Sequence, residues 1–198
     1  MNLSLKRKIT LSFILFCISY VFFLLFWLQV KNYYGRSLTL AASHITSTAK
    51  DIDFKFITEE KESISSVFFI FRKGKGGRLA TTGSLDTNIY TFNTPLTFAI
   101  IITLFYFKKG RKKIFFEALS ILFLLHLFYI VLFQVESISW FMVREGIEKS
   151  SLLNRALWPY LWQFFFEVVR LFEPFLVGAY VYLREDQLSL KNSWKPYL

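Results

Sequence analysis

The chain has 198 residues and a formal charge of +10, from 24 Lys and Arg against 14 Asp and Glu. Its hydrophobic residues, 54% of the total, arrive in long blocks rather than in the short periodic groups of a water-soluble core, which points to a membrane protein. Much of the positive excess sits in short runs beside those blocks, where it orients a chain in a bilayer; no segment resembles a nucleic-acid module, and the single cysteine, Cys17, excludes an internal disulfide or a cysteine-based zinc site.

In chain order, Lys6, Arg7 and Lys8 precede the apolar stretch Ile9–Val30. A helix needs about 20 residues at about 1.5 Å each to cross the hydrocarbon. Ile9–Val30 meets that length, exceeds the core of a cleavable signal and carries no small-residue cleavage site, so it predicts a retained signal-anchor helix ending a segment 1–30. Cys17 lies among Phe13, Ile14, Phe16 and Val21, surroundings that leave a thiol inert, and it reads as a packing residue.

Residues 31–88 predict a small α+β extracytoplasmic domain. Leu38, Ala41, Ala42 and Ile45 recur at helical spacing. Asp51-Ile52-Asp53-Phe54-Lys55-Phe56 alternates polar with apolar, as a half-buried strand does. Val67–Phe71 reads as a second strand, 72–78 as a glycine-rich turn, and Leu79–Thr82 as the returning hairpin partner, with a last short strand through Asn88–Phe92. The turn lacks the framework of a phosphate loop, and Arg72, Lys73, Lys75 and Arg78 make it a candidate contact for anionic headgroups or an acidic partner. His44 has no cysteine or second histidine near it in sequence, and neither it nor any other residue is assigned to a metal.

Asn93–Phe107, extended back to Ile89, is the second expected span, with Asn93 a cap or a partner-facing residue ahead of Pro95. Five positive charges in the six residues Lys108 to Lys113 connect it to the third span, Ile114–Val135, giving a helical hairpin over 89–135. So dense a basic connector stays in the cytoplasm, which puts both termini inside. Residues 136–160 form an outer-surface connector, with a short surface helix expected around Trp140 and Phe141. Trp158, Tyr160 and Trp162 suit headgroup depth, and Pro159 suits a first helical turn. Leu161–Leu183 is the fourth expected span and 184–198 a cytoplasmic tail. The expected fold is therefore a mainly α membrane protein of the inner membrane, with four transmembrane helices and the α+β domain between the first and second.

Glu167, Arg170 and Glu173 recur every three residues in the last span and are expected to share one helix face. A charge at mid-bilayer costs roughly 2.5 to 3.5 kcal/mol even on gentle scales. The three therefore need internal pairing, a cavity or a partner, with Arg170 between the two carboxylates. Counted from the outer ends, Arg170 and His126 both lie about 15 Å deep, so a polar cluster of His126, Arg170, Glu167 and Glu173 is geometrically possible.

The layout resembles a family: one N-terminal span, a small outer domain, two spans around a basic connector and a last span after an aromatic-proline segment. Tyr90-Thr91-Phe92-Asn93-Thr94-Pro95 and Arg155-Ala156-Leu157-Trp158-Pro159-Tyr160-Leu161-Trp162 carry the likeness to small membrane proteins encoded beside exosortases, the exosortase H-associated type. That resemblance implies a non-enzymatic accessory that docks a larger integral membrane protein, an exosortase, in envelope protein sorting. It transfers no catalytic residue, since exosortases use a Cys, an Arg and a His near the outer face and Cys17 is too deep. No cofactor is implied. The competing readings are a small transporter or enzyme component using the buried Glu/Arg/His cluster, which needs an open polar cavity, and a ligand-sensing membrane subunit, which needs a separate transducer.

Overall fold

From Leu5 to Lys50 the chain is one uninterrupted α-helix, α1, so the expected first span and the helical pattern of the outer domain belong to a single rod about 70 Å long. The computed structural model describes residues 5–60, 63–71, 78–85, 91–108, 112–149 and 151–193. After α1 come strands β1 (Asp53–Glu60), β2 (Ser63–Phe71) and β3 (Arg78–Leu85), then helices α2 (Thr94–Lys108) and α3 (Lys112–Arg144). The remaining elements are a π-helical turn (Leu153–Leu157), α4 (Trp158–Phe164), a second π-helical turn (Phe165–Val169) and α5 (Arg170–Ser193). The fold is thus mostly helical, with a three-stranded antiparallel sheet of order β1-β2-β3 between α1 and α2.

By length and composition, α1 and α3 are long and apolar enough to cross a membrane. Helix α2 is apolar but shorter, about 22 Å for its 15 residues. It begins at Thr94 because the Asn93 carbonyl accepts the first helical bond, from Thr97 N–H at 2.9 Å, and Pro95 fills the first turn, where its missing N–H costs nothing. The strand expected through Asn88–Phe92 does not form at its described end, since Thr91 is helical and Phe92 and Asn93 form a turn; 88–90 lie outside the described residues.

The chain divides into two compact units, each built from pieces distant in sequence. One comprises α1 as far as Gln29, Asn93–Phe123 and the chain from Leu171 onward. Its buried positions include Ala99 and Ile101 on α2, Ile114 and Ala118 on α3, and Val177 and Val181 on α5. Gly178 lets α2 and α5 approach closely, since a Cβ there would sit 2.8 Å from Ile100 Cγ2. Phe23 of α1 stacks on Phe98 of α2 at 4.9 Å between ring centres.

The other unit, Val30–Phe92 with Leu124–Arg170, holds the sheet. The two expected strands and the return strand are present, but longer, because Ile57–Glu60 pair with Ser63–Ser66 and extend β1 and β2 through a polar sequence that does not advertise strands. The register runs Phe54↔Phe68 and then Phe56↔Val67, leaving Lys55 as a bulge. Ile64, Ser66, Phe68 and Ile70 alternate onto the buried face of β2. Phe68 and Ile70 pack with Ile52 and with Ile138 of α3. The short surface helix expected around Trp140 is instead the unbroken end of α3. Gly146, at φ +68°, stops it: its N–H reaches the Val143 carbonyl and the Ile147 N–H reaches the Met142 carbonyl, the paired bonds of a Schellman motif. Asp51, at φ +51°, ends α1 in the same way, with Ile52 N–H on the Ser47 carbonyl at 3.0 Å.

Phe68 is fully buried at the centre of the sheet. Phe68→Ala is expected to cost about 3–5 kcal/mol, read as a matching loss of protection of the β2 amides from hydrogen exchange, with α2 unchanged.

Candidate functional site

Helix α1 continues past Gln29 as a polar-faced rod, and its buried stripe differs from the expected one. Leu38 and Ala42 are buried, but with them go Thr39, Ser43 and Thr46, while Ile45 stays exposed. The reason is a hydrogen-bond network that accepts hydroxyls where an apolar stripe was read. Gln134 of α3 donates from Nε2 to Ser43 Oγ at 3.0 Å and to Ser66 Oγ of β2 at 3.1 Å. Its Oε1 accepts from Thr46 Oγ1 at 3.0 Å. Ser43 and Ser66 are themselves 2.7 Å apart, and Ser43 also reaches the Thr39 carbonyl at 2.7 Å. One carboxamide thereby joins α1, α3 and the sheet, with every polar atom of the amide engaged. None of Ser43, Thr46, Ser66 or Gln134 was singled out from sequence. The available signal was a lone Gln inside the apolar block Ile114–Val135.

His126, one of the expected cluster, is fully buried in the same unit. The fold brings Tyr34 of α1 to it, with Oη 2.8 Å from Nδ1. Tyr129 lies alongside the imidazole, and Phe165 meets Tyr129 edge-on. Tyr34 thus orients a histidine walled by aromatic rings.

The last helix separates Glu167, Arg170 and Glu173 into different surroundings: Glu167 is exposed, Arg170 half-buried and Glu173 fully buried. The cause is local. Residues Phe165–Val169 form a π-helical turn, in which Arg170 N–H bonds the Phe165 carbonyl five residues back, so the three-residue spacing no longer marks one face. Arg170 Nε donates to the Phe166 carbonyl at 3.1 Å, and the guanidinium lies 4.2 Å from the Phe166 ring centre and 5.7 Å from that of Phe92. Glu167 and Arg170 belong with His126 to the sheet-bearing unit.

Glu173 belongs to the other unit, together with Asn93. Thr97 Oγ1 donates toward Glu173 Oε1 at 3.5 Å and toward the Asn93 carbonyl at 3.1 Å, so Thr97 links two of the expected site residues through one hydroxyl. Asn93, Thr94 and Thr97 are all buried there. Arg72, Lys73 and Lys75 lie outside the described residues; the backbone of Arg78 opens β3 opposite Phe71. His44 meets the Phe54 ring edge-on. Among the described residues, no group of three or more His, Cys, Asp or Glu could hold a metal ion.

Comparisons with protein-family models, with curated proteins and with solved structures find no match to this chain.

Gln134→Leu leaves Ser43, Ser66 and Thr46 buried without the amide, and is expected to cost about 2–3 kcal/mol. Tyr34→Phe, which deletes one hydrogen bond to His126, is expected to cost about 1 kcal/mol. Thermal unfolding of the detergent-solubilised chain checks the order: the Gln134 variant should melt well below the Tyr34 variant.

Proposed function

We propose that this chain crosses the cytoplasmic membrane four times, with both termini inside, and acts as a non-enzymatic accessory subunit that docks a larger integral membrane protein. An exosortase-type envelope protein-sorting system is the partner class that its layout resembles. The observation that carries the membrane part is the bareness of α1: only 6% of its most apolar stretch is buried, against 44% for α3. Ten large apolar side chains between Ile9 and Leu28 are exposed, a surface that hydrocarbon accommodates and water does not. The basic runs at Lys6–Lys8 and Lys108–Lys113 support a cytoplasmic side for both the N-terminus and the connector of the proposed hairpin.

Arg170 supports the docking part. Its guanidinium lies over the ring of Phe166 and within 5.7 Å of the ring centre of Phe92, and Phe92 remains 51% exposed. A cation beside a half-exposed aromatic ring offers a partner helix an apolar face within a positive field. The reading assigns no catalytic residue.

In a Cys17→Ala background, an impermeant maleimide is expected to label Thr82→Cys in cells with a permeable outer envelope, and Lys112→Cys only after the inner membrane is opened. Labelling of both from one side overturns the four-span topology. Arg170→Leu is expected to reduce copurification of the larger membrane partner by roughly ten-fold; undiminished association removes Arg170 from the docking surface.

A further inference from the structure

Where α3 begins, Lys113, Phe116, Glu117, Ser120 and Ile121 fall at the i, i+3, i+4, i+7, i+8 spacing of one helix stripe, and Tyr180 of α5 completes the lining of a groove of about 610 Å³ with them. The groove is graded along its length. Lys113, with its side chain 78% exposed, stands at one end, and Ile121 lies about 12 Å deeper. Tyr180 Oη donates to Glu117 Oε2 at 2.7 Å. One turn further along α5, Arg184 Nε lies 3.6 Å from the same oxygen, and Lys113 Nζ lies 3.8 Å from Oε1. Glu117 therefore fixes Tyr180 and Arg184 at the basic end while offsetting one of the two cations beside it. Lys112 is exposed at the same end of α3. Lys112, Lys113 and Arg184 against Glu117 leave two positive charges over an apolar floor that includes Phe116 and Ile121.

We propose that this groove is a binding site for an anionic phospholipid of the cytoplasmic leaflet. The headgroup phosphate sits among Lys112, Lys113 and Arg184, and an acyl chain runs inward along Phe116 and Ile121. The assignment rests on the reading of this chain as a membrane protein with a cytoplasmic basic connector. Charge complementarity selects the occupant: the cations lie at the end that this reading puts at the inner leaflet, where anionic lipids lower the surface potential, and basic pockets between spans on that side suit such headgroups. A zwitterionic lipid would fill the same volume and leave the excess charge without a counter-ion. Tyr180 and Glu117 act as positioning residues for Arg184.

The full-length chain, reconstituted in vesicles of phosphatidylcholine with graded phosphatidylglycerol, is extracted in mild detergent, and its retained lipid is counted by native mass spectrometry. Phosphatidylglycerol is expected to be retained over phosphatidylcholine. Lys113→Gln and Arg184→Gln are each expected to weaken that preference about five-fold, and Ile121→Trp, which changes no charge, to displace the lipid by filling the floor. Lys8→Gln removes an equal charge outside the groove lining and is expected to leave the preference intact. Equal loss in Lys8→Gln, no preference for the anionic lipid, or a dimer of the chain that Ile121→Trp abolishes would each overturn the proposal. A chain that needs no detergent at all would fail the membrane reading instead, which keeps the two failures apart.

Discussion

Between Ile9 and Leu28 the first helix turns large apolar side chains outward, and this bare surface governs how the rest of the chain is to be read. Burying one such side chain fully is worth about 1.5–3 kcal/mol. Ten that are left about half exposed forgo on the order of 10 kcal/mol, as much as the whole net stability of an ordinary domain. A chain that keeps this surface open to water would have to recover that free energy elsewhere. Hydrocarbon around the helix, as proposed, removes the deficit and makes each polar group at that depth an exception that requires a partner.

Buried polar groups elsewhere in the chain are handled in two ways. In the sheet-bearing unit the polar atoms satisfy one another: Gln134 gathers Ser43, Thr46 and Ser66, and Tyr34 reaches His126. Such bonds have directions, and so they specify one register of β2 against α1 and α3 where apolar packing alone would tolerate several. Toward the start of α3, by contrast, Glu117 is shared among Tyr180, Arg184 and Lys113 in a setting open to its surroundings, where among the described contacts one carboxylate meets two cations. A closed network holds a domain in shape; an uncancelled one invites a counter-ion.

The π-helical turn at Phe165–Val169 links local geometry to the proposed docking surface. An added backbone residue within one turn rotates the helix beyond it, so that Arg170 comes to lie on the Phe166 ring while Glu173 is fully buried. Such turns are often found at functional sites, because a helix accepts the loss of regular bonding only where side-chain direction matters more.

Length, hydropathy and charge runs by themselves determined that α1 and α3 are long and apolar enough to span, that antiparallel strands come after α1, and that a helix starts around Asn93 and Pro95. Each of these is a local property, written in residues that neighbour one another along the chain. Only the tertiary structure decided that α1 runs on into the sheet-bearing unit, that its buried stripe carries Thr39, Ser43 and Thr46 in place of Ile45, and that Glu167 and Glu173 part company. A hydroxyl is as readily buried as a methyl once a donor or acceptor from far along the sequence stands opposite it. Periodicity reports which side of a helix avoids water, and it is silent on which distant amide will take water's place.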